Sequence, residues 1–340
     1  MKRLVIDGYG KFLGIRDEQI VVREKGKVIS SSSPSELRQV IISGSGSLST
    51  NAINKLVENN VDVLFIDYFG KVKARLSQPV LRTVETRRQQ YKAYDDERGV
   101  LLSKQFVYAK LRNQMAVLGT LAKARKDYDK GSADILMKNR GEIGNNTKKI
   151  LKIDGRCCEE VRGEIMGIEG YSATFYWSAL SEIFPRELNF KDRSGRFAKD
   201  GINAMLNYGY GVLFGDVMRG IHFSGLDPYA GFLHADRPGK PSMALDLMEE
   251  FRQQLVDKVV IKLITKGQVK PQDFEIHGNS CRINDNLRRL LLRELLGKLE
   301  SSITYQDKQL QWSNLILKQA RSVAKYLRGE SSYNGFYLRW

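Results

Sequence analysis

Over the first eighty residues, apolar positions alternate or gather in short runs, KRLVIDG, KFLGIRDEQIVVREKGKVI, ELRQVIISG and VDVLFIDYFGKVKARL, each broken by glycine or a polar turn. A period of two predicts strands. Before the last run, Ser49 or Thr50 can cap a helix whose apolar stripe is Ala52, Ile53, Leu56 and Val57, so one helix interrupts the strands. The expectation for 1–80 is a small antiparallel, β-sandwich-like domain with one inserted helix. From Thr83 onward the apolar spacing becomes helical and strand-like alternation nearly vanishes. The stretch 86–125 predicts a long helix or a helical pair. Further helices fit 133–137, 159–166, 171–181, 200–214, 242–264, 284–301 and 311–328, and no periodicity assigns the tail SSYNGFYLRW. The expected fold class is α+β: an N-terminal β domain over 1–80, a short linker over 77–85, and an all-α domain over 86–340.

Composition narrows the partners. With 340 residues and 42% hydrophobic content the chain can bury a sizeable core. It contains no apolar run of the roughly 18 residues a membrane helix needs, and MKRLVIDGYG does not read as a signal peptide, so a cytoplasmic location and no membrane partner are expected. Three cysteines, two adjacent, fit neither a disulfide framework nor a CxxC zinc site. The formal charge of +16 points to a polyanion, nucleic acid first, against the plainer reading of a solvated basic surface.

The candidate chemistry centres on 224–252, SGLDPYAGFLHADRPGKPSMALDLMEEFR, where His234 sits in a loop just ahead of an acid-rich helix. At about 100° per residue, Asp246, Glu249, Glu250 and Gln253 fall on one helical face, directed to a cleft or to water, with Leu245, Met248, Phe251 and Leu255 opposite. A further acid, Glu169, lies between Gly167 and Gly170, which either let the backbone turn and aim the carboxylate, or leave it as a helix N-terminal acid favoured by the dipole. Oxygen donors with one imidazole suit Mg²⁺ or Mn²⁺ better than a structural zinc. Arg237 and Lys240 beside His234, the loop residues Arg193, Arg196 and Lys199, and Arg87 and Arg88 are candidate DNA contacts, or solvated charges. Neither GxxxxGK[ST] nor GxGxxG occurs, no Ser–His–Asp set suggests a triad, and His222 and His277 read as structural.

The segments SGSGSLSTNAINKLVENNVDVLFIDYFGKVKARL, GIEGYSATFYW, NAMLNYGYGVL and GLDPYAGFLHADRPGKPSMALDLMEEFR resemble, nearly end to end, the CRISPR-associated integrases that capture new spacers, protein one of that system. The resemblance implies an N-terminal β domain, a helical catalytic domain, a homodimer joined largely through the β domains, and CRISPR-associated protein two as the bridge of a hetero-oligomeric complex. It also implies a divalent ion held by Glu169, His234 and Glu249, with Asp246 as an outer or alternate ligand and Glu250 and Gln253 as solvated companions. Some members carry Asp at the third ligand position, where this chain has Glu249. The implied reaction, part of antiviral defence, is attack of a DNA 3′-hydroxyl on a phosphodiester of the CRISPR repeat, with water as alternative nucleophile giving nicks or cuts. The implied DNA is double-stranded, branched or with 3′ overhangs. Two other readings are a branched-DNA repair endonuclease and a noncatalytic, basic DNA-binding assembly protein whose acids form structural ion pairs.

Overall fold

The structure, a computed structural model, describes residues 2–78, 83–195, 198–278 and 280–338. The chain divides into two compact units, Met1–Val80 and Leu81–Trp340. The expected linker over 77–85 lies partly outside the described residues.

The first unit contains β1 (Lys2–Arg16), β2 (Gln19–Glu24), β3 (Lys27–Ser32), β4 (Leu37–Leu48), α1 (Thr50–Glu58), β5 (Asp62–Ile66) and β6 (Val72–Leu76). A sheet with one helix matches the sequence pattern, but its direction does not. The six strands form one sheet in the order β3-β2-β1-β4-β5-β6, with β1–β4 and β4–β5 parallel. The expectation of a wholly antiparallel domain is thus corrected. Parallel neighbours need a crossover, and α1 supplies the one between β4 and β5. Ser49 begins α1 by accepting a hydrogen bond from the Ala52 N–H at 3.2 Å, a cap contributing about 1 kcal/mol. Its buried side chains Ala52 and Leu56 pack with Ile6, Leu13, Val40, Ile42 and Val63 of the sheet.

The second unit is built on α2 (Glu85–Ala93), α3 (Glu97–Arg125), α4 (Lys130–Lys152), α5 (Cys158–Ser181), α6 (Gly201–Phe223), α7 (Ser242–Met248), α8 (Lys258–Thr265), α9 (Asp285–Glu300) and α10 (Trp312–Leu327). It is not all-α. Two short antiparallel hairpins, β7 (Phe274–His277) with β8 (Ser280–Ile283) and β9 (Ser302–Tyr305) with β10 (Lys308–Gln311), interrupt it. The second turns on Gln306 and Asp307, both at positive φ (50° and 60°), a conformation in which a two-residue loop matches strand twist.

The glycines around Glu169 do not break a helix. The two segments expected at 159–166 and 171–181 are one helix, α5, because Val161, Ile165, Ser172, Tyr176 and Leu180 form a continuous buried stripe. Burial along that stripe outweighs the roughly 1 kcal/mol each helical glycine costs. Glu169 is therefore a mid-helix residue, neither on a turn nor at a helix N-terminus. The single helix expected at 242–264 is also corrected. After α7 the backbone tightens, the N–H groups of Glu249, Glu250 and Phe251 reaching three residues back to Asp246, Leu247 and Met248. It then widens into a π-helix, Gln253–Asp257, before α8.

Candidate functional site: an acidic centre beside a cationic cleft

Lys110, from the middle of α3, brings two of the expected residues together. Its ammonium contacts Glu169 Oε1 on α5 and lies 2.7 Å from Glu249 Oε2. All three side chains are withdrawn from water, 13% exposed for Lys110, 21% for Glu169 and 5% for Glu249. Arg252 Nε approaches the other oxygen of Glu249 at 3.1 Å, and its guanidinium lies over the Tyr210 ring, 4.7 Å from the centroid. Burial alone would raise the Glu249 carboxyl. The charges of Arg252, Lys110 and His234 outweigh it and hold the group down at about 2. Burial likewise disfavours the Lys110 ammonium, and the carboxylates of Glu249 and Glu169 more than reverse that, raising it above its ordinary value.

His234 is positioned by Asp246. Asp246, fully buried, accepts from the N–H groups of Phe232 (2.7 Å) and Leu233 (3.0 Å) with Oδ2 and from the His234 N–H (3.1 Å) with Oδ1. The same Oδ1 stands 2.6 Å from the imidazole Nδ1. Gly231 permits this wrap, since a Cβ there would sit 2.8 Å from Asp246 Oδ2 and 2.6 Å from the Ser242 Cβ. With its oxygens so occupied, Asp246 is a support for the loop and the ring.

Two companions on the expected acidic face are not solvated. Glu250 is fully buried and Gln253 is 2% exposed. Glu250 accepts from the Tyr333 hydroxyl, from Gln319 Nε2 at 3.0 Å and from the Phe336 N–H at 3.0 Å. Burial pushes its carboxyl up to about 7 against the lowering effect of those three bonds. The tightened turn after Met248 sends neighbouring carboxylates in different directions, Glu249 to Lys110 and Glu250 to the tail.

Beside the centre opens a cleft of about 570 Å³, lined by Lys110, Glu169, Lys191, Arg193 and Arg252 among others. Arg193 is held by Asn203 Oδ1 at 2.9 Å and Asn207 Oδ1 at 2.6 Å. Of the candidate DNA contacts among the described residues, Arg193 alone lines this cleft. Arg237 and Lys240 line a separate cavity of about 480 Å³ with Tyr91, Asp227 and Tyr229. Arg88 and Lys199 are exposed and Arg87 is half-buried, while Arg196 lies outside the described residues.

Among the described residues, no three His, Cys, Asp or Glu side chains are grouped closely enough to hold a metal ion. The donor set still fits one. Glu249 Oε2 is buried and receives no aligned hydrogen bond, its contact with Lys110 being an ion pair only. Lys110 and Arg252 escaped the sequence reading. A signal existed for Lys110: it lies three and four residues from Phe106, Val107, Asn113 and Gln114, all buried, so helical period puts a charged residue on the inward face of α3.

An α+β chain with a separate sheet unit, and with a largely buried pair of carboxylates on one lysine beside a cationic cleft, is a protein built to meet a polyanion. The chain belongs to the CRISPR associated protein Cas1 family, whose match spans residues 4–296. It is 47% identical over 344 residues to CRISPR-associated endonuclease Cas1 1 of Archaeoglobus fulgidus, covering 99% of this chain and 100% of that protein. Among solved structures, a casposase bound to its integration product superposes with a TM-score of 0.82 at 29% identity, covering 98% of this chain and 92% of that one. A chain of a Cas6-RT-Cas1–Cas2 complex shares the fold, with a TM-score of 0.75 at 20% identity over 98% of this chain and 36% of the other. Nucleases of this family are generally metal-dependent.

Proposed function

We propose that the chain is a metal-dependent DNA endonuclease and integrase of CRISPR spacer acquisition, joining DNA 3′-hydroxyls to phosphodiesters of the CRISPR repeat and cutting DNA when water replaces the hydroxyl. The observation that carries this is the convergence of Glu169 and Glu249 on one buried cation. Glu169, Glu249 and His234 would hold Mg²⁺ or Mn²⁺, which supplies charge stabilisation on the phosphate and a more nucleophilic oxygen. Asp246 fixes the imidazole through Nδ1, leaving Nε2 as the nitrogen to face an ion. Arg252 and Arg193, on the wall of the cleft, would seat the DNA backbone as charge-assisted donors. Arg237, Lys240, Arg87, Arg88, Lys199 and Arg196 are proposed as further contacts along the DNA. The N-terminal sheet unit would join two copies in a homodimer, and protein two of the CRISPR system would bridge dimers. No described helix is long and apolar enough to cross a membrane, which accords with a cytoplasmic place of action.

The direct test incubates purified protein with a 3′-overhang duplex and a CRISPR-repeat plasmid in Mn²⁺, with protein two added or omitted. Joined product that disappears with chelator and in Glu249→Gln is the expected result. Product made equally by Glu249→Gln would overturn the assignment. One observation favours a second reading, a noncatalytic DNA-binding assembly protein: Lys110 already pairs with both acids, as in a structural ion-pair site. DNA binding that is indifferent to metal, without joining or scission, would support it.

A further inference from the structure

We propose that Lys110 is a latch: it holds Glu169 and Glu249 until a divalent cation takes them, then turns into the neighbouring cleft and holds a phosphate of the bound DNA. This rests on the metal reading above. Glu249 Oε2 and Glu169 Oε1, both in contact with the ammonium, are oxygens a metal would need. The two acids are balanced by two cations, Lys110 and Arg252. A divalent ion on the same oxygens would leave this half-buried cluster with an excess of positive charge in a poorly screened place. One cation has to yield.

Arg252 is the anchored one, its guanidinium lying over Tyr210, whose hydroxyl donates to Asp257 Oδ1 at 2.6 Å. Lys110 carries a compact charge on four methylenes with free rotation, and it has somewhere to go. The same side chain lines the 570 Å³ cleft together with Lys191, Arg193 and Arg252. That cleft offers few counter-charges, Glu169 and Asp192 being its acidic lining, and Glu169 is the residue the metal would occupy. The chemical complement of an ammonium released there is an oxyanion, and for a strand threading the cleft that is a backbone phosphate.

The consequence is linkage. Metal binding unmasks a phosphate contact, so it strengthens DNA binding, and DNA must strengthen metal binding by the same factor. Without metal the two acids hide the lysine from DNA.

Three measurements on the full-length protein test this: Mn²⁺ binding by calorimetry, acylation of the Lys110 amine by mass spectrometry, and anisotropy of a labelled duplex lacking 3′-hydroxyls. The expected pattern is slow acylation without metal, acceleration of about 5-fold or more with Mn²⁺, and renewed protection when the duplex is added. Duplex affinity should rise with Mn²⁺ by a similar factor in the wild type, lose that rise in Lys110→Met, and recover part of it in Lys110→Arg. Mn²⁺ bound at one per chain, absent from Glu249→Gln, with Lys110 acylation unchanged, would overturn the latch and leave the metal reading standing. Absence of any Mn²⁺ binding would overturn both. Because the labelling is read on the wild-type protein, a poorly folding Lys110→Met does not blunt it.

Discussion

Lys110, Glu249 and Asp257 show how burial and charge are set against each other at single positions. Glu249 is held ionised by its cations, whereas Asp257 is pushed up to about 6 by burial, against hydrogen bonds from Tyr210 and Tyr176 and the charges of Arg193 and Arg252. A folded pKa above the unfolded one means that Asp257 contributes its full stability below about pH 4, and loses it as pH rises through about 6. At about 1.4 kcal/mol per unit the loss is on the order of 2–3 kcal/mol. Asp257→Asn should flatten that part of the stability profile, as thermal unfolding between pH 4 and 7 would reveal; an unchanged slope would contradict it. The Asp246 carboxylate acts through the His234 ring, so Asp246→Asn should weaken Mn²⁺ binding by about 10- to 100-fold, read by calorimetry, as the loss of an outer partner does. Undiminished affinity would mean that the ring needs no such support.

Among the elements, α5 and the helical run from α7 to α8 departed most from the sequence pattern. Gly163, Gly167 and Gly170 look like breakers in one dimension, but a Cβ at any of them would meet nothing within 4 Å, and the helix is secured from its opposite face. Gly163→Ala should therefore stabilise the protein by roughly 1 kcal/mol, seen as a higher denaturation midpoint at unchanged m-value. Destabilisation would show that the open face has a neighbour. Stripes such as that of α1 and α10 were legible because apolar burial writes a period. The tightened turn and π-helix after α7 were not, because they depend on partners such as Lys110 and Tyr333 far away in sequence. For the same reason residues 332–338 gave no signal, although Tyr333 and Phe336 are 3% and 1% exposed and Phe336 stacks on Phe251. Phe336→Ala should cost about 3–5 kcal/mol in denaturant unfolding, and a loss under 1 kcal/mol would mark the segment as loosely docked.

Across the whole chain, a formal charge of +16 coexists with a carboxylate pair that is itself held by cations, Lys110 and Arg252. The basic surface, and not that pair, sets the long-range attraction for a polyanion. If six to ten phosphates are engaged, DNA affinity should fall by about 10³- to 10⁵-fold between 50 and 200 mM salt; a flat salt titration would exclude a phosphate-led interface. The division into a strand-rich and a helix-rich part and the polyanionic partner could be read from the sequence, and two of the candidate acids, Glu169 and Glu249, do meet on one lysine. Parallel strand order and the partners of Lys110 could not, since they are fixed by contacts across long separations, and the two hairpins are local but their four-residue strands are too short to write an alternation. The docked tail carries one more consequence. Asn113 on α3 donates to the Phe336 carbonyl across 223 residues of chain, and the Phe336 N–H returns to Glu250, the immediate neighbour of Glu249. During synthesis α3 and the turn bearing Glu250 emerge first, and the partners of that carboxyl, Tyr333 and Phe336, follow 83 and 86 residues later. A polypeptide that stops short of residue 333 would therefore leave the Glu250 carboxyl, next door to Glu249, without those two donors.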